Sequence, residues 1–165
     1  MNEQYCGFDL VLQDHSNDMR VLFCGFDGVL HPQRAATVPF GVVPERLFEW
    51  LDVLELLLTP HDDVFLVVHS RWRHEWTDGE LARPLQRLGS RFLGSVARGP
   101  RYASILHWLE RNRSVSSYRI LDDEAKEFPD PPPSQLVLCH PDTGIYEWRV
   151  RQQLREWLHG PQIVV

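Results

Sequence analysis

Three apolar runs of this chain each end in residue types that phosphate chemistry uses. Asp27 and Gly28 follow the first, Ser70 follows the second, and Asp122 with Asp123 follows a later one. Neighbouring carboxylates suit a hard divalent cation such as Mg2+, which takes oxygen ligands and keeps several waters. A hydroxyl and backbone N–H donors at a strand-to-helix turn suit phosphate oxygens. An arginine such as Arg101 can grip a phosphate with two parallel hydrogen bonds. Taken singly, an acid after a strand is a helix cap or a solvated turn, and Arg101 or Arg98 is solvated surface. The chemistry depends on whether the chain brings these residues to one place.

The elements that would do so are visible as periodicity. Val21 to Phe26 is apolar at nearly every position, as expected of a parallel strand over 20–26 covered on both faces. Gly28 permits a tight turn at its tip. Leu47, Leu51, Leu54 and Leu58 recur at helical spacing between Pro44 and Thr59-Pro60, which predicts a helix over 44–58. Val64 to Val68 is a second buried strand leading into His69-Ser70-Arg71-Trp72-Arg73. A helix over 80–88 kinked near Pro84, a strand over 91–95 and a helix over 101–112 follow. Strands at 118–121 and 136–139 precede a closing helix with Tyr146, Val150, Leu154, Trp157 and Leu158 on one face and Gly160 at its end. Strands alternating with helices imply a three-layer α/β/α Rossmann-like sandwich with a mainly parallel sheet, the 20–26 strand at its centre. Ligands of such sheets bind beyond the carboxyl ends of the strands, where Asp27, Ser70 and Asp122-Asp123 would meet.

The segments Val21 to Leu30, Ser70-Arg71-Trp72-Arg73 and Leu121-Asp122-Asp123 together resemble the haloacid dehalogenase (HAD) superfamily, over about residues 19–140. They also resemble the small capless HAD domains found in bacteria, including those of RNA-repair proteins. In that superfamily a hydrophobic strand is followed by Asp-x-Asp-Gly, the first Asp a nucleophile and the second a general acid/base. Here the pattern reads Gly25-Phe26-Asp27-Gly28. The resemblance implies Asp27 as acid/base, with its backbone carbonyl on the metal, and Ser70 as the phosphate-binding residue of the second motif. His69 is the alternative in that register. Arg101 stands where a phosphate-binding Lys is usual, on the same phosphate as Gly28, and Asp122 and Asp123 are the acids that hold Mg2+.

Glycine has no side chain with which to attack phosphorus or bind metal, so Gly25 puts the implied aspartyl-phosphate step out of action. A natural pseudoenzyme, an inactivated form, and a hydrolase that uses water with Asp27 as base all fit that pattern. Three functions follow: a phosphohydrolase-derived domain with impaired catalysis, an active Mg2+-dependent phosphatase on a phosphorylated macromolecule or metabolite, or a noncatalytic phosphate- or protein-binding module.

At 165 residues and 43% hydrophobic, the chain accommodates a single domain over 19–165 with an appended extension over 1–18. The short connection over 31–43 leaves no room for a large cap, and an open site suits large substrates such as phosphorylated nucleic-acid ends. The net charge of −6 opposes nucleic-acid binding through bulk charge, though not through a local basic site. Cys6, Cys24 and Cys139 form no Cys-x-x-Cys pair, so neither a disulfide framework nor a zinc site is expected and the reducing cytoplasm is the default setting. No run is long enough to span a membrane, and the N-terminus lacks signal-peptide character. Cys139-His140 with Asp142 is a poor nucleophile arrangement, because adjacent residues of a strand face opposite ways. Trp108, Trp148 and Trp157 fall in helical patterns and are expected in the core. Trp72, between Arg71 and Arg73, is the expected ligand contact.

Overall fold

The computed structural model describes residues 19–34 and 46–160. Strand β1 (Met19–Cys24) has its last four residues wholly buried. Burying a large apolar side chain contributes about 1.5–3 kcal/mol, so a strand apolar from Val21 to Cys24 settles where both faces are covered. Val21 and Phe23 join one core cluster, while Leu22 and Cys24 join the other, which is the period-2 alternation of a strand. Strands β2 (Val64–Val68), β3 (Phe92–Ser95), β4 (Val115–Asp122) and β5 (Leu136–Leu138) complete the sheet. Its order is β3-β2-β1-β4-β5 and every neighbouring pair is parallel, with β1 central.

Helices α1 (Leu51–Leu58), α2 (Asp78–Ala82) and α4 (Trp148–His159) contribute Leu54, Leu81 and Leu154 to the cluster that holds Leu22 and Cys24. Helix α3 (Arg101–Arg111) covers the other face, where Ile105 joins the Phe23 cluster and Trp108 meets the Phe23 ring edge-on at 5.5 Å. The architecture is a Rossmann-like α/β/α sandwich without a large cap. None of the described helices is long and apolar enough to cross a membrane.

The topology locates the site. From β1 the chain steps to β2 and β3 on one side, then crosses to β4 and β5 on the other, so the switch point where crevices open lies at the end of β1. Hydrogen bonds continue past the strand ends there, from Gly25 N–H to Leu121 O, His69 N–H to Cys24 O and Cys139 N–H to Asp122 O.

Several elements depart from periodicity. The helix predicted from Pro44 begins at Leu51. Phe48 has φ +57°, a left-handed conformation that interrupts helix. The Phe48 N–H donates to His31 Nδ1 at 3.2 Å and the Trp50 N–H to Leu30 O at 3.0 Å, so the loop after β1 claims these residues. The 80–88 helix is split into α2, capped by Thr77 Oγ1, and a 3-10 segment Gln86–Arg91. Pro84 lies between them, where its missing N–H ends the helix. Strand β4 starts at Val115 rather than 118. Tyr146 precedes α4, and both it and Trp148 are exposed rather than in the core. Residues 1–18 and 35–45, on which the extension and most of the 31–43 connection fall, lie outside the described residues.

Candidate functional site

Beyond the strand tips lies a notch of about 10 Å3 lined by Gly25, Asp27, Ser70, Arg101, Asp122 and Asp123, with Arg71 at its mouth. Of the residues singled out from sequence for phosphate or metal, these six line the notch, while Gly28 and the alternatives His69 and Arg98 do not. Gly28 touches it through Asp123. A larger cavity of about 620 Å3 beside Arg20, Arg119 and Trp157 contains none of them.

Asp27 follows the buried ring of Phe26 and is held on three sides. His31 Nε2 lies 2.8 Å from one carboxylate oxygen, Arg71 Nε donates to the other at 2.9 Å, and Trp72 Nε1 donates to both at 3.1 Å. Because His31 Nδ1 accepts the Phe48 N–H, the ring proton sits on Nε2 and is donated to Asp27. Burial pushes the Asp27 carboxyl up, but the His31 hydrogen bond, the Arg71 charge and the Trp72 N–H outweigh it and hold the group below its ordinary range. At neutral pH Asp27 is therefore a carboxylate, able to accept a proton and poorly placed to give one. His31 is a site residue that the sequence reading passes over. Its signal is the four-residue spacing from Asp27 across the Gly28 turn.

Asp122, 1% exposed, is held in the same way from the other wall. Its oxygens accept from Arg101 Nη1 at 2.9 and 3.1 Å, from His69 Nε2 at 2.8 Å and from the Glu124 N–H at 2.8 Å. Burial opposes its ionisation, yet the His69 hydrogen bond and Arg101 prevail and lower its pKa. His69 is wholly buried and its pKa is lowered, because desolvation and the charges of Arg101 and Arg73 outweigh its attraction to Asp122. The imidazole is thus neutral and donates from Nε2.

Asp123 moves the opposite way. Burial first, then the charges of Asp122 and Glu124, push it up to about 6. Its Oδ2 is buried without a hydrogen-bond partner. Gly28 lies against this carboxylate with φ +70°, and a Cβ there would collide with it, so position 28 requires glycine on two counts. At Gly25 a Cβ would lie 3.4 Å from Leu121 O and Val29 Cγ2 and 3.7 Å from His69 Nε2. That space is tight and usable, and the His69 ring borders it.

Ser70 lines the notch, and its Oγ accepts the Trp72 N–H at 3.3 Å, capping the 3-10 turn Arg71–His74. His69 packs beneath it. The Arg71-Trp72-Arg73 group separates. Arg71 is exposed, but Arg73 is 4% exposed and donates to the carbonyls of His69, Ser70, Ala97 and Gly99. Arg98 is exposed. Cys139 is buried with its thiol pKa pushed well up, first by desolvation, and His140 Nδ1 accepts the Asp142 N–H instead of facing the sulfur.

The profile of the family described as "HAD domain in Swiss Army Knife RNA repair proteins" matches residues 21–150, from within β1 to the start of α4. The chain belongs to this HAD family. No curated protein and no solved structure matches it. HAD-family domains generally use Mg2+. Asp123, with an unpartnered buried oxygen, suits a cation, whereas the Asp122 oxygens are already taken by His69, Arg101 and the Glu124 N–H. Among the described residues no group of three His, Cys, Asp or Glu side chains is arranged to hold a metal ion. In this arrangement the acids fit Mg2+ only in part, at Asp123.

Proposed function

We propose that this chain is a phosphohydrolase-derived HAD domain that binds a phosphorylated ligand, the terminal phosphate of an RNA strand, and that its aspartyl-phosphate catalysis is impaired. The observation that carries the reading is Gly25 in a notch with Asp27, Ser70, Arg101, Asp122 and Asp123. Every role of the superfamily has a residue there except the nucleophile. RNA as the substrate class comes from the family description. Buried free Cys24 and Cys139 accord with a reducing, cytoplasmic setting.

The notch has room for about one water molecule, so a phosphoryl group enters only by displacing side chains. Arg101 is the side chain to move, exchanging the Asp122 carboxylate for phosphate oxygens of the same geometry. Arg71 holds Asp27 through Nε while its side chain stays exposed, leaving its terminal nitrogens for the ligand. Ser70 and the turn at Gly28 complete the seat. Once Arg101 leaves Asp122, that acid, Asp123 and the Asp27 carbonyl would hold Mg2+, whose charge would offset the phosphate.

The second reading is an active phosphatase, favoured by Asp27 being held as a carboxylate and so fit to act as base toward water. Phosphate release from 5′- and 3′-phosphorylated oligoribonucleotides, with and without Mg2+, separates the two. The impaired domain should bind phosphate-ended strands more tightly than hydroxyl-ended ones and release no phosphate. Mg2+-dependent release by the unmodified chain establishes the active enzyme, and equal affinity for both ends overturns the phosphate-end reading.

A further inference from the structure

The notch opens beside a second cavity of about 450 Å3 lined by Arg71, Trp72, His74, Glu75 and Trp76. Arg71 is common to both. Although Trp72 is the tryptophan expected to meet a ligand, it is mostly engaged inside the protein. Its indole packs against Phe26, His31 and Phe48 at 5.4–5.8 Å and its N–H is spent on Asp27. Trp76, one turn on, leans over Trp72 with centroids 5.0 Å apart at 51°. It is 39% exposed. The core thus fixes one indole, which supports a second that faces the cavity.

Exposed Arg71 lines this cavity together with one acid, Glu75. His74, also on the lining, has its pKa lowered, first by desolvation and then by the charges of Arg73, Arg98 and Arg101, with Glu75 opposing, so cationic groups outnumber acidic ones at this corner. A supported aromatic face next to exposed cationic groups is the arrangement on which unpaired bases stack.

We infer that Trp76, braced by Trp72, is a stacking platform for the terminal base of a single-stranded RNA whose end phosphate enters the Asp27 notch, with Arg71 bridging the two. This rests on the phosphate-end reading and names what lies beside the phosphate. Arg71 lines both cavities, which puts the phosphate seat and the base platform on either side of one side chain. The platform is sequence-tolerant, since every base has a π-face.

The test uses anisotropy of a labelled hexaribonucleotide with a terminal phosphate, the same strand with an abasic terminal nucleotide, and the strand ending in a hydroxyl. Trp76→Ala should weaken the base-bearing phosphate strand roughly tenfold or more, leave the abasic strand unchanged, and be largely rescued by Trp76→Phe. Thermal melts verify that both variants are folded. Equal loss on both strands, no loss on either, or no RNA binding at all overturns the platform. So does a phosphoserine peptide that binds as tightly and loses as much with Trp76→Ala. If phosphate and hydroxyl ends bind alike while the base-against-abasic contrast still depends on Trp76, the phosphate reading fails and the platform stands.

Discussion

The two walls of the notch are built alike and end differently. On the β1 wall Asp27 accepts from a buried histidine, an arginine and an indole. On the β4 wall Asp122 accepts from a buried histidine, an arginine and a backbone N–H. Each acid is held ionised by donors from elsewhere in the chain, and each lies next to a position where that support stops. Beside Asp27 the unsupported position is Gly25, which has no side chain. Beside Asp122 it is Asp123, which has a carboxylate and no donor for its buried oxygen. A side chain is absent on one wall, and a buried carboxylate oxygen without a partner remains on the other.

The largest effect tests the β1 wall. Gly25→Asp adds an attacking oxygen where the Cβ contacts are 3.4 Å or longer and no left-handed backbone stands in the way. The new side chain would lie beside the His69 ring, whose Nε2–H is already given to Asp122. Gly25→Asp should produce, or greatly raise, Mg2+-dependent hydrolysis of a generic phosphate ester. Adding Asp27→Asn to that variant should lower its rate by roughly 10²–10⁴-fold, the usual size of general acid/base assistance. A folded Gly25→Asp protein with no release across a broad ester panel would mean that the Arg101–Asp122 pair, not the missing nucleophile, closes the site.

The next effect tests the β4 wall. Arg101→Ala leaves Asp122, 1% exposed, with a neutral imidazole and one N–H. Stranding one member of a buried pair costs about 3–5 kcal/mol, and the low end applies because Arg101 is partly exposed. Asp122 has a lowered folded pKa, so its contribution is present above the ordinary carboxylate range and is lost as pH falls through the folded value. The deficit of Arg101→Ala in urea denaturation should accordingly be largest near pH 7 and shrink in acid. A deficit independent of pH would show that Arg101 acts by packing alone.

Much of this arrangement is legible in the sequence because it lies along contiguous runs. The strand over 20–26 and the acids after it need only local pattern, and parallel topology does the rest. What escapes is pairing between distant groups. Arg101 reads as a cation at a helix start, but nothing local shows that Asp122 will neutralise it. His31 acquires meaning only when Phe48, seventeen positions on, adopts a left-handed conformation to reach its ring, and that same tie removes the first turns of the helix predicted from Pro44. Arg73 reads like Arg71, yet four carbonyls draw it inside. Beside the notch the exposed indole is Trp76, not Trp72, whose ring packs against Phe26, His31 and Phe48 while its N–H goes to Asp27.

The smallest effect isolates Asp123. Its folded pKa, about 6 against an ordinary 3.8, means that the native state holds the proton more tightly than the unfolded chain. Stability must then fall as pH rises from about 3.8 to about 6, with the full penalty present above that window. A difference of that size corresponds to roughly 3 kcal/mol at 1.36 kcal/mol per pH unit, and partial exposure lowers the expected figure to about 2 kcal/mol. Asp123→Asn keeps the shape against Gly28 and removes the charge. In Mg2+-free buffer the variant should be about 2 kcal/mol more stable than the unmodified chain at pH 8, the advantage dwindling below pH 6 and vanishing near pH 4. Asp27 and Asp122, whose folded values are lowered, give the opposite slope and are common to both proteins, so the difference between the two reports Asp123 together with its coupling to Asp122 and Glu124. An Asp123→Asn protein no more stable at pH 8 would mean that the orphan oxygen already has a partner in solution, and Mg2+ titration of the unmodified chain would identify whether that partner is a cation.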